Sequence, residues 1–339
     1  MARPSALRAA VVGVGVFTAL WCAVGLAVPS TFGAHVAVDE PQYLLSATSL
    51  WEDLDLDISD ELADERWRAY HEARLPVQTK LLDGGRQVSP HDPLLPALLA
   101  VPMGLGGWVA AKAVLAALAG ALAAVLVWTC VVRLDVPVRR AVIGVACFSL
   151  SAPLAIYATQ VYPEVPGALC VALALAGVLG RSRRAMWCAS VCVVLLPWLS
   201  VKYVAVAAVL ALFVLWRWRS IMVVTFWVAM GALFVGVHLA VYDGITPYAT
   251  GDHFVGGEHE VVGTNVNLGG RARRLLALLV DRDYGLVAWQ PAWLLVLPAL
   301  RRNAQSAVFL AGWLTATFVA LTMHGYWWPG RQTVVVLPA

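Results

Sequence analysis

The sequence is short of charge. Only 13% of its 339 residues are Asp, Glu, Lys or Arg, against about 25% in an ordinary soluble domain. That supply cannot cover a water-facing globule of this length, so lipid must be the solvent for most of the chain. A net charge of +3 leaves no broad basic surface, which excludes nucleic acid as a partner. Cysteine is scarce outside the apolar runs. Cys22, Cys130, Cys147, Cys170, Cys188 and Cys192 all lie inside such runs, without the CxxC spacing of metal sites. They are expected to be small buried apolar residues rather than disulfides or ligands. The sequence also lacks a Walker-type loop, a GxGxxG after a strand, an HExxH and a GxSxG, and shows no internal repeat.

What is abundant is apolar length. Hydrophobic residues make up 60% of the chain, and the mean hydropathy is +0.75. Crossing a bilayer takes about 20 apolar residues. The expected spans are Ala9–Val28, Trp108–Val132, Ala141–Thr159, Val165–Gly180, Ala185–Leu199, Val201–Trp216, Ile221–Tyr242, Leu286–Leu300 and Ala304–Thr322. A tenth begins near Gln332 and breaks off at Ala339, so the natural chain is expected to continue. The shorter runs imply tilted or irregular helices. The first run is too long for a signal peptide and is expected to be the first membrane helix. The fold class is therefore all-α and polytopic, one transmembrane domain over residues 1–339 with about nine or ten helices.

Arginine placement orients them. Arg3 and Arg8 begin the chain; Arg133, Arg139 and Arg140, then Arg181, Arg183 and Arg184, then Arg217 and Arg219, then Arg301 and Arg302 mark alternate short connections. By the positive-inside rule these are cytoplasmic, and so is the N-terminus. The two long polar segments, residues 29–93 and 243–284, then lie outside. They hold 19 of the 21 acidic residues, Glu164 adds another, and only Asp135 falls inside. No acid sits at mid-membrane, which weakens an ion-coupled transporter. The Ala/Val/Arg-rich composition points to a bacterial plasma membrane.

Several outer residues could carry chemistry. Asp39 and Glu40 begin DEPQYLLSATSL; such a pair can hold a divalent cation or supply a general base, or it can cap a surface helix opened by Pro41. Asp53, Asp55 and Asp57 alternate in DLDLD, but Ile58 stands where a calcium loop needs its glycine, so a solvated face is expected. His91 and Asp92 sit in SPHDPLLPALLAVP, a proline-bent return to the membrane. Glu164 stands between prolines in YPEVPGAL among apolar neighbours, and an acid so placed defaults to function. Lys202, Arg271, Arg273, Arg274 and Arg331 can hold a phosphate or neutralise lipid headgroups. Trp327 and Trp328 suit stacking on a sugar or prenyl chain, or an interfacial belt.

In order along the chain, DEPQYLLSATSL with DLDLD, SPHDPLLPALLAVP, YPEVPGAL, DRDYGLVAWQPAWLLVLPAL and WWPGRQTVVVLP resemble segments of the GT-C superfamily. These are polyprenyl-phosphate-dependent membrane glycosyltransferases, including protein O-mannosyltransferases and aminoarabinose transferases. One segment departs from the pattern, reading Trp-Pro-Gly-Arg where related proteins often have Gly-Pro-Arg. The resemblance implies a GT-C-like bundle that moves a sugar from a polyprenyl-phosphate donor to an extracytoplasmic acceptor, with inversion. Asp39 would be the base, supported by Glu40. Asp39 and Glu164 would hold any divalent cation (Mg2+ or Mn2+), and Lys202 and Arg331 the donor phosphate. His91, Asp92, Trp327 and Trp328 would touch substrate. From other classes, a flippase for a lipid-linked sugar or a non-catalytic membrane assembly factor would also suit an acidic outer surface.

Overall fold

The computed structural model describes residues 4–30, 34–252, 268–283, 285–295, 298, 300, 303–319 and 331–339. Among these residues the chain is helical, with isolated bridges but no strand. In hydrocarbon every backbone N–H and C=O must be satisfied within its own segment, and the helix does this. Four helical stretches are long and apolar enough to cross a membrane: Pro4–Ala23, Leu94–Arg133, Val201–Trp218 and Ile221–Thr250. The protein is membrane-embedded.

The helices, in chain order, are α1 (Pro4–Ala23), α2 (Glu40–Glu52), α3 (Ser59–Ala63), α4 (Leu94–Arg133), α5 (Val138–Ser149), α6 (Leu154–Tyr157), α7 (Glu164–Val178), α8 (Arg183–Leu199), α9 (Val204–Trp218), α10 (Ile221–Tyr242), α11 (Leu268–Val280), α12 (Leu286–Trp289) and α13 (Ala304–Val319). Helices α4, α7 and α8 form the centre, with α1 on one side and α9 and α13 on the other. On α10 only Val223, His238 and Tyr242 are buried, while Val228, Leu233 and Leu239 are exposed. An apolar helix that turns leucine and valine outward needs lipid around it.

Several expected spans differ in form. Helix α4 breaks at Gly106 and Gly107, the latter at φ +63°. Residues 94–105 lie before the break, and regular helix resumes at Trp108. The run from Ala141 to Thr159 is two pieces, α5 and α6, because Pro153 has no N–H to continue the ladder. The described start of the run from Leu286 to Leu300 is a short α12 and a 3-10 turn at Pro291–Leu295, divided by Pro291 for the same reason. The described start of the tenth run is a 3-10 turn, Arg331–Val336.

Three of the arginine-bearing connections, those after α4, α7 and α9, meet at one end of the bundle. Arg133 lies against Gly180, and Arg183 reaches Met222 at the start of α10. The opposite end receives α2 and the starts of α4 and α7. Helix α2 is not at the surface, as an amphipathic loop helix would be. Every residue from Glu40 to Ser49 is buried, with α4 as its main neighbour.

Candidate active site

Asp39 occupies the N-cap position of α2, yet its side chain makes no capping bond. It instead accepts from Arg331 Nη2 at 2.8 Å. The same guanidinium donates through Nε to Glu164 Oε1 at 3.4 Å. Lys202 Nζ reaches that Glu164 oxygen at 2.9 Å. Four residues singled out in the sequence thus converge, two carboxylates and two cations. Glu164 is 1% exposed and Arg331 8% exposed, so these two charges meet largely out of water, with Asp39 and Lys202 half-buried beside them.

Local sequence explains each placement. Pro163 precedes α7 and Glu164 is its first residue, where a carboxylate is favoured by the helix dipole. Lys202 lies in the 3-10 turn Val201–Tyr203 that links α8 to α9. Arg331 is delivered by its own 3-10 turn, which packs on α7. That approach depends on Gly167: a Cβ there would fall 2.9 Å from Val335 Cγ2 and 3.0 Å from Tyr203 Cε2.

Aromatic rings complete the surroundings. The Arg331 guanidinium lies 4.0 Å from the centroid of the Tyr162 ring, within cation–π range. Tyr162 meets Tyr43 and Tyr157 edge-on, with centroids 6.4 and 6.3 Å away. Glu164 Oε2 and the Tyr203 hydroxyl are buried here without a hydrogen-bond partner. Buried polar atoms are normally paired, so both are open to a ligand's polar groups. Burial pushes the Asp39 carboxyl up, but the charges of Arg331, His91 and Lys202 outweigh it and hold the group at about 2.

Glu40 goes elsewhere. Its Oε2 accepts from the Ala37 amide at 2.8 Å and the Ser30 hydroxyl at 2.9 Å, and its Oε1 from the Val161 amide at 2.7 Å. It clamps the loop before α2 to the turn before α7. Burial pushes its carboxyl above the usual range, against the opposing pull of Lys112 and those three donors. Asp92 is also a brace. Its Oδ2 accepts from the Val201 amide at 2.9 Å and its Oδ1 faces His238 Nε2 at 3.3 Å. His91 hydrogen-bonds Ser89 Oγ through Nδ1 at 2.8 Å and lies 4.3 Å, centroid to centroid, from Tyr43. In DLDLD, Asp55 accepts from Ser49 and the Asp57 amide, and Asp57 from the Ser59 and Gln87 amides, so both acids build turns. Trp327, Trp328 and the side chains of Arg271 and Arg274 lie outside the described residues, and Arg273 is exposed.

The donor set of Asp39 and Glu164 suits a hard divalent cation, but the place between them is taken by the Arg331 guanidinium. With Lys202 the cluster is already neutral, so a dication does not fit this arrangement unless a protein cation leaves. Sequence reasoning missed Tyr162, which stands two residues before Glu164, and His238, whose partner Asp92 is 146 positions away. No family model, curated protein or solved structure matches this chain.

Proposed function

We propose that the protein is a membrane glycosyltransferase of the GT-C type, taking its sugar from a polyprenyl-phosphate donor and giving it to an acceptor hydroxyl outside the cytoplasm. The single observation that carries this reading is the Arg331 bridge between Asp39 and Glu164, with Lys202 behind it. In this reading Asp39 is the base and Arg331 and Lys202 are the phosphate-binding cations, met by the donor at the end of the apolar helices.

The acceptor oxygen attacks the anomeric carbon as its proton passes to Asp39. The bond from that carbon to the phosphate oxygen breaks, and the electron pair leaves with the polyprenyl phosphate. Arg331 and Lys202 meet that growing negative charge. Direct displacement inverts the anomeric centre. At about 2 Asp39 is a weak base in the resting site, since a good one sits near the working pH. A donor phosphate competes for Arg331, and once it is drawn away the half-buried Asp39 carboxylate becomes more basic. Donor binding thus arms the base.

In this reading the site is extracytoplasmic, the arginine-rich end cytoplasmic, and the host membrane a bacterial plasma membrane. Asp39→Asn keeps the shape and removes the base. Sugar transfer from a polyprenyl-phosphate donor, followed in membranes, is expected to fall about 10²–10⁴-fold with the protein level unchanged. Undiminished transfer would remove Asp39 from the chemistry.

A further inference from the structure

A second cluster of acids lies at the other end of α2. Asp53, the C-cap of that helix, meets Asp60 and Glu61 of α3, with one carboxylate oxygen of each within 4.8 Å of the others. Asp53 and Asp60 are exposed, whereas Glu61 is 2% exposed. Exposed acids often gather without consequence, but neither oxygen of buried Glu61 has a hydrogen-bond partner. Arg66, which follows α3 closely, pairs with Glu52 instead. A buried carboxylate without a donor is costly, and two further carboxylates beside it increase the repulsion.

We infer that Asp53, Asp60 and Glu61 form a Ca2+ site that fastens the end of α2 to α3. The chemistry selects the ion. Three carboxylates are hard oxygen ligands, and Ca2+ accepts six to eight of them in flexible geometry at about 2.3–2.6 Å. Oxygens on opposite sides of such an ion stand about 5 Å apart, so three oxygens that all lie within 4.8 Å of one another can share one. Mg2+ demands a near-ideal octahedron at about 2.1 Å and dehydrates reluctantly, so this irregular, partly exposed carboxylate set favours Ca2+. Two exposed ligands leave room for the waters that complete the shell. The bound ion anchors one end of the helix whose other end carries Asp39. Binding at this site is independent of whether Asp39 is a base.

The test is thermal unfolding of the purified full-length protein in nanodiscs, first stripped with EGTA and then titrated with CaCl2 or MgCl2. A saturable rise in Tm with Ca2+ is expected, with Kd on the order of 10⁻⁴–10⁻³ M, as in extracellular modules, and a weaker response to Mg2+. Glu61→Gln should abolish the rise. Asp53→Asn, at an exposed position that leaves folding intact, should weaken Ca2+ binding about tenfold or more through loss of ligand charge. The proposal is overturned by no Ca2+ response, by equal responses to Ca2+ and Mg2+, or by an undiminished response in Asp53→Asn. A Tm that moves with pH but ignores Ca2+ would show instead a proton shared between Asp60 and Glu61.

Discussion

Helix α2 carries acids at both ends, and the two ends treat them differently. At its start Asp39 is met by Arg331 and Glu40 by two backbone amides and a hydroxyl. Beside its finish, Glu61 of α3 is as buried as Glu40, but no other residue donates a hydrogen bond to it. A carboxylate that draws a cation from 292 residues away is held in a defined electrostatic setting. One without such a partner is free to take a cation or a proton. Density of acids does not separate these cases; the partners do.

The largest break in this contrast comes from Arg331→Ala. It strips Asp39 and Glu164 of their shared cation, so the first end of α2 comes to resemble the second. Removing one partner of a buried ion pair costs about 3–5 kcal/mol, and losing a donor to developing charge costs about 10²–10³ in rate. Thermal unfolding and transfer should fall together. Arg331→Lys keeps the charge and loses the fork, so it should recover more of the stability than of the transfer. Wild-type stability in Arg331→Ala would show that the cluster does not hold the C-terminal turn on α7.

Glu40→Ala separates the two adjacent carboxylates. It leaves the Ala37 and Val161 amides without an acceptor, at about 1–3 kcal/mol for each buried group. A lower Tm is expected, with transfer per folded molecule close to wild type. Normal stability combined with lost transfer would exchange the roles given to Asp39 and Glu40.

Sequence alone brought the site close to assembly. Apolar period and arginine spacing place Asp39, Glu164, Lys202 and Arg331 at one end of the helices, and the structure joins those four. What could not be read was who bonds whom. Asp39 and Glu40 are neighbours with the same chemistry, and their divergence depends on α2 being buried on α4 rather than lying at the surface. Tyr162 was hidden because a ring beside a proline turn is unremarkable until a guanidinium stacks on it. The runs ending at Thr159 and Leu300 were apolar enough for spans, but hydropathy does not register the amide that Pro153 or Pro291 lacks. Glu61 gave no signal, since its burial is a property of the folded loop.

Gly167→Ala probes the delivery of Arg331 without touching a charge. The added methyl meets Val335 and the Tyr203 ring at about van der Waals overlap, so the 3-10 turn must shift. Overpacking of this kind costs about 1–3 kcal/mol. Transfer is expected to drop more than stability suggests, because Arg331 moves with the turn. Transfer that merely follows the folded fraction would mean that Arg331 tolerates the shift.

The smallest effect is a displaced limb in a pH profile. In the resting protein the Asp39 carboxyl is lowered from 3.8 to about 2. Its contribution to stability is therefore complete above the ordinary value and is lost as pH falls from there toward 2. The profile of kcat/KM reports free protein and should show no acidic limb from Asp39 in the usual working range. The profile of kcat reports the loaded site, where the donor phosphate holds Arg331 and burial acts on Asp39 with less opposition. Its acidic limb should lie at higher pH. Neutral-pH rates are unaffected, so only full profiles detect the difference. Coincident limbs would mean that Arg331 stays on Asp39 throughout turnover, and a carboxylate held near 2 would be too weak a base to take the acceptor's proton.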